Sequence, residues 1–87
     1  MEIEVKRHYK NNAFEGTWRH VDEWFWVEAR TDDGLDLFGY VVKTKSGSIE
    51  NFNMPMRRLD PGEVEEILDE VFRYSETHTP SKLWAPR

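Results

Sequence analysis

Residues 23–29 read EWFWVEA, and this short stretch decides what kind of sheet the chain must build. In an extended strand Trp24 and Trp26 point to one side, while Phe25 and Val27 point to the other. Both sides of one strand are therefore apolar. We expect a sheet with two faces that need cover.

Two turn signals follow this stretch at hairpin spacing. They are TDDGL at 31–35 and KSGS at 45–48, and each contains a glycine of the kind that tight hairpin turns use. They separate three strand-like runs, at about 23–31, 35–44 and 49–54. The first ten residues alternate apolar Ile3 and Val5 with charged residues, which predicts a further strand at an edge of the sheet.

A helix is predicted near the end of the chain, within LDPGEVEEILDEVFRYS at 59–75. Asp60 can cap it, Pro61 suits the first helical position, and Glu63 completes a capping box. The apolar residues recur at three- and four-residue spacing, as on one face of a helix; they are Val64, Ile67, Leu68, Val71 and Phe72. The helix should run from about Asp60 to Ser75.

The predicted fold class is α+β. A meander of three to four antiparallel strands is packed by one C-terminal amphipathic helix. At 87 residues the chain supports one core, so we expect a single compact domain over residues 1–76 and an extended tail over 77–87. Residues 11–22 fit a helix or a short strand with a turn, and we favour the strand or turn.

The length of the first turn sets which side chains share a face. A two-residue turn at Asp33-Gly34 pairs Val27 with Tyr40, and a two-residue turn at Ser46-Gly47 pairs Lys43 with Glu50. The two faces would then be Phe25, Val27, Ala29, Phe38, Tyr40 and Val42 on one side, and Trp24, Trp26, Leu37, Val41, Phe52 and Met54 on the other. A three-residue first turn would move the side chains of the second strand to the opposite faces.

One helix covers only one of these faces. The other face must be covered by Phe14 and Trp18, by Leu83 and Trp84 of the tail, or by another molecule. An aromatic patch left open would be a binding surface, because Trp and Tyr are favoured anchors of protein interfaces. The face with Phe25 and Val27 is the one we expect beneath the helix.

The charge distribution points to a protein partner. The net charge is −5, which argues against general affinity for nucleic-acid phosphates. Residues 60–76 hold seven acidic residues and one basic residue, enough for a field that attracts a basic partner. The chain has no cysteine, no long apolar run and no apolar core near its start, so we expect a cytoplasmic protein without a membrane span.

Catalytic and metal motifs are weak. His8, His20 and His78 lie in three separate segments, whereas a metal site needs three or four convergent ligands; we expect surface histidines, no metal and no cofactor. No nucleophile or phosphate-loop pattern is present, so we expect no enzyme. The basic patches at 6–10 and 57–58 support an alternative function, a small nucleic-acid-binding domain.

In size, acidity and layout the chain resembles the small inhibitors carried by phages and mobile elements, such as anti-CRISPR and anti-restriction proteins. This resemblance is one of general character and carries over no residue. It implies an inhibitor or adaptor that occupies a partner's basic, nucleic-acid-binding surface; a homodimer is the other occupant to consider. The residues predicted to contact the partner are Trp24, Trp26, Glu63, Glu66, Asp69 and Glu70.

Overall fold

The computed structural model describes residues 1–11 and 18–81. The elements are β1 (Glu2–Lys10), β2 (Val21–Arg30), β3 (Asp36–Thr44), β4 (Ile49–Asn51) and α1 (Pro61–Thr77). The strands form one antiparallel sheet in the order β1-β2-β3-β4. The fold is therefore the predicted α+β meander with one helix, and β1 lies at an edge as expected.

Both hairpin loops are one residue longer than the turns favoured from the sequence. Thr31 N–H donates to the Leu35 carbonyl at 2.9 Å, and Thr44 N–H donates to the Ser48 carbonyl at 2.8 Å, so each loop holds three residues. Gly34 and Gly47 have φ of 91° and 94°, the left-handed conformation that such loops require at their last position. The two-residue prediction was wrong, and the three-residue alternative for the first turn is confirmed.

The longer loops shift the strand pairing by one residue. Tyr40 lies opposite Trp26 and not opposite Val27, and Lys43 lies opposite Ile49 and not opposite Glu50. Because side chains alternate along a strand, this shift moves those of β3 to the opposite faces. Leu37 and Val41 therefore join the main core, whereas Phe38, Tyr40 and Val42 lie on the face away from the helix, contrary to the favoured prediction.

The core lies between the sheet and α1. Phe25 and Val27 are fully buried there, as predicted, and pack with Ile67 and Val71 of the helix. Phe72, predicted on the apolar face, is instead 46% exposed. At 100° per residue Phe72 lies about 100° from Val71 around the helix and beyond the edge of the buried stripe.

The start of α1 has the predicted cap. The Asp60 carboxylate accepts a hydrogen bond from Glu63 N–H at 2.9 Å, and the Glu63 carboxylate accepts one from Asp60 N–H at 3.1 Å. Pro61 occupies the first turn. The helix ends at Thr77, two residues beyond the predicted end.

The third predicted run, 49–54, is a strand only as far as Asn51. The Asn51 side chain donates to the Met54 carbonyl and accepts from Met54 N–H, both at 2.9 Å, and this turns the chain over β3. A Cβ added at Gly39 would lie 2.7 Å from the Met54 Cα. Glycine at position 39 therefore allows the close approach that buries Met54 in the core.

Irregularities in the pairing of β1 and β2 determine which face three further residues occupy. The β1–β2 pairing shifts between Val5 and Arg7, so His8 enters the core face and Tyr9 lies on the other. The β2–β3 pairing shifts between Val21 and Glu23, and Val21 accordingly packs on the face away from the helix. Such bulges re-aim the side chains that follow them.

After α1 the chain returns to the edge of the sheet. Ser81 N–H donates to the His8 carbonyl, and Lys10 N–H donates to the Ser81 carbonyl, both at 2.9 Å. Ser81 thus pairs in parallel with β1. Residues 82–87 of the predicted tail lie outside the described residues. In the described part of the chain, no helix is long and apolar enough to cross a membrane.

Candidate functional site

The sheet face away from α1 carries a continuous set of aromatic rings. We call its accessible members the aromatic face; they are Trp18, Trp26, Phe38, Tyr40 and Phe52. Trp26 lies between Phe38 and Tyr40, with ring centroids 5.7 and 5.0 Å away. Trp18 contacts Phe52 edge-to-face at 4.8 Å. The rings therefore follow one another across the sheet.

Trp24 lies beneath these rings and is itself buried. Only 6% of its surface is exposed, because Phe52 and Tyr40 pack edge-to-face on it at 4.9 and 5.5 Å and Trp18 lies 6.4 Å away. Its indole N–H donates to the Asn11 side chain at 3.1 Å. With Val21 and Val42 it forms a second small core, so Trp24 offers little surface to a partner.

Trp26, in contrast, keeps part of its surface open. It is half-buried, and its neighbour Phe38 is 60% exposed. Of Trp24 and Trp26, the two tryptophans predicted to contact a partner, Trp26 is thus the one with accessible surface. The sequence also suggested that Trp18 covers this face, and Trp18 does lie against Trp24. The other residues suggested as cover, Phe14, Leu83 and Trp84, lie outside the described residues.

The sequence missed Phe38 and Tyr40 as members of this face. Under the favoured two-residue turn, both would have pointed into the core. Gly34 permits the three-residue loop but does not select it, because a left-handed glycine fits both loop lengths.

Charges change in sign along the aromatic face. Arg7 of β1 lies opposite Trp26 and is exposed. Towards the other end of the strands the face opens into a groove of about 680 Å³. Its charged lining residues are Glu2, Glu4, Glu28, Arg30 and Asp36. The groove is therefore predominantly acidic, with the exposed Phe38 ring in its wall.

Three of these charged side chains form hydrogen bonds with neighbouring side chains. The Arg30 guanidinium donates two hydrogen bonds to the Asp36 carboxylate, at 2.7 and 3.2 Å. This hydrogen bonding lowers the pKa of Asp36 and raises the pKa of Arg30. The Trp26 indole N–H donates to the Glu28 carboxylate at 3.2 Å, which orients that carboxylate beside the ring.

The four acidic helix residues predicted to bind a partner do not form one free surface. Glu63 belongs to the helix cap, and Glu70 accepts a hydrogen bond from Arg73 at 2.8 Å. Glu66 and Asp69 are exposed. Because α1 packs on the other side of the sheet, these carboxylates lie on the opposite side of the molecule from Trp26.

Of the three histidines, His8 contradicts the prediction of a surface position. It is 7% exposed, and its Nε2 lies 2.6 Å from a Glu23 carboxylate oxygen. Phe25 stacks on its ring at 4.3 Å and Tyr74 meets it edge-on at 5.6 Å. His20 and His78 are exposed. Among the described residues, no three His, Cys, Asp or Glu side chains converge as a metal site would require.

The basic patch at 6–10 is divided by the fold. His8 is buried, whereas Lys6, Arg7 and Lys10 are exposed, and Lys10 pairs with Asp22 at 2.9 Å. Arg57 and Arg58 are exposed in the segment before α1. The described residues thus give the basic side chains no common groove with an aromatic platform, apart from Arg7 beside Trp26.

Comparison with known proteins adds no relative: no family model, curated protein or solved structure matches this chain.

Proposed function

We propose that this chain is a small non-enzymatic protein-binding module and that the aromatic face is its contact surface. The observation that carries this proposal is the exposed Phe38 beside half-buried Trp26 and Tyr40. Contiguous exposed aromatic surface is uncommon on monomeric proteins. Large aromatic side chains supply much of the binding energy at protein interfaces.

The partner is a protein with a basic surface, such as one that binds nucleic acid. The acidic groove beside Phe38 complements such a surface, and the net charge of −5 would speed association from a distance. An inhibitor or adaptor in the cytoplasm that occupies this basic surface, as phage and mobile-element inhibitors do, is the role that fits this chemistry.

The second candidate is a nucleic-acid-binding domain. The observation in its favour is Arg7 next to Trp26, since a ring for stacking and a cation for phosphate contact act together on single strands. The carboxylates at the other end of the same face oppose it, because they repel phosphates.

Site-specific photo-crosslinking tests the proposal. A photoreactive phenylalanine analogue is placed at Phe38 in one variant and at Phe72 in a matched control. Both residues are exposed aromatics, but they lie on opposite sides of the molecule. In cells that contain the natural partner, we expect the Phe38 variant to crosslink to one protein and the Phe72 variant not to do so.

Three other outcomes would count against the proposal. A crosslink from position 72 alone would move the contact surface to α1. A crosslink from position 38 to nucleic acid would favour the second candidate. A crosslink from position 38 to a second copy of the chain would make the aromatic face a homodimer interface.

A further inference from the structure

We propose that the acidic groove at the end of the aromatic face is a subsite for an arginine side chain of the partner. The proposal rests on the function proposed above and specifies what the partner must present there. It depends on the placement of Glu4, Glu28 and Phe38 in one row across the sheet.

The row contains a like-charge pair. Glu4 of β1 and Glu28 of β2 are directly opposite each other, and Glu28 in turn faces Phe38 of β3. Carboxylates at opposed positions in a sheet repel and destabilise the fold. The arrangement becomes favourable when a cation lies between the two carboxylates.

Among the described residues, no ion pair involves Glu28, and the one that involves Glu4 is long. Arg30 is held by Asp36 through two hydrogen bonds. Lys6 reaches Glu4 only at 3.8 Å, and both side chains remain well exposed, so that pair contributes little. Within residues 1–11 and 18–81, the Glu28 carboxylate accepts one hydrogen bond, from the Trp26 indole N–H, and it retains lone pairs for another donor.

The chemistry favours arginine. A guanidinium is flat and stacks on an aromatic ring, while its N–H groups form parallel hydrogen bonds with carboxylates. Phe38 supplies a ring that is 60% exposed; the Glu28 carboxylate lies beside it, and Glu4 follows Glu28 in the same row. Lysine offers a point charge without the stacking plane and should bind more weakly.

The test is an NMR titration of the full chain with tetra-arginine amide and, in parallel, tetra-lysine amide. We expect tetra-arginine to shift the Trp26 indole N–H signal in a saturable way at low salt, because that group is bonded to Glu28. Changing Glu4→Gln with Glu28→Gln should weaken the affinity about tenfold, as expected for lost hydrogen bonds to a charged group.

The matched control removes two charges elsewhere. Glu65→Gln with Glu76→Gln gives the same net charge, and both residues are exposed on α1. This control should bind tetra-arginine like the unchanged protein. The Glu4→Gln, Glu28→Gln variant should also melt at the same temperature as the unchanged protein or above it, because the repulsion is gone.

Equal weakening in the two double variants would overturn the proposal, since net charge alone would then explain binding. Equal affinity for tetra-lysine would overturn the choice of arginine. No saturable shift of the Trp26 signal, together with a normal crosslink from position 38, would remove the subsite and leave the proposed function intact. A saturable shift without any crosslink from position 38 would leave a guanidinium-binding subsite on this chain and would remove the proposed function of the aromatic face.

Discussion

At the residue scale, the contact between His8 and Glu23 is the feature furthest from any expectation based on sequence. Ile3 and Val5 alternate with charged residues, and this alternation, if continued, would point His8 outwards. The shift between Val5 and Arg7 reverses it. The local residue types do not predict this bulge, because its position depends on the pairing with β2 and on the packing of His8 against Tyr74.

This buried contact should be strongly coupled. The two side chains are 4% and 11% exposed, and the His8 Nδ1 has no hydrogen-bond partner among the described residues. Glu23→Leu leaves the buried His8 ring without its partner, so we expect a loss of about 1 to 3 kcal/mol in the free energy of unfolding. Replacing both residues by leucine should cost less than Glu23→Leu alone, because no unpaired polar group then remains buried.

Urea unfolding of Glu23→Leu, His8→Leu and the double variant measures this coupling. Asp22→Ala is a control from the neighbouring, more exposed pair with Lys10 and should change stability by less than about 1 kcal/mol. Additive losses in the His8 and Glu23 variants would contradict a direct interaction between them.

At the scale of elements, the helix was predictable and the hairpins were predictable only in part. The start of α1 is specified by Asp60, Pro61 and Glu63 together, all within one turn of each other, so local signals agree. TDDGL and KSGS marked the hairpins correctly, but a left-handed glycine serves both two- and three-residue loops. Because of this ambiguity, the favoured prediction assigned the side chains of β3 to the wrong faces and expected Phe38 and Tyr40 in the core.

The helix gives a graded prediction. Asp60→Ala removes the cap and should lower the free energy of unfolding by about 1 kcal/mol. Ile67→Ala opens a cavity at a residue with 0% exposure and should cost about 2 to 5 kcal/mol. Phe72→Ala should change little, because nearly half of that side chain is exposed. Urea unfolding ranks the three variants. A loss of stability for Phe72→Ala equal to that for Ile67→Ala would contradict the buried face assigned to α1.

At the scale of the whole molecule, the sheet separates two kinds of aromatic residue. Phe25 is sealed beneath α1, Trp24 holds a second small core on the other side, and Phe38 lies open above the sheet. The sequence predicted that both faces would be apolar. It also predicted that the helix covers the face of Phe25 and Val27, which places Trp26 on the side of the sheet away from α1.

This separation predicts how stability depends on each ring. Phe25→Ala and Trp24→Ala should each lower the free energy of unfolding by about 3 to 5 kcal/mol, because both leave cavities in packed regions. Phe38→Ser should stay within about 0.5 kcal/mol of the unchanged protein, as surface substitutions usually do. Thermal and urea unfolding of the three variants provide the comparison. An exposed ring that adds nothing to folding is available for contact with a partner, whereas a loss at Phe38 as large as that at Trp24 would make the whole aromatic face part of the folding core and leave the proposed binding surface without support.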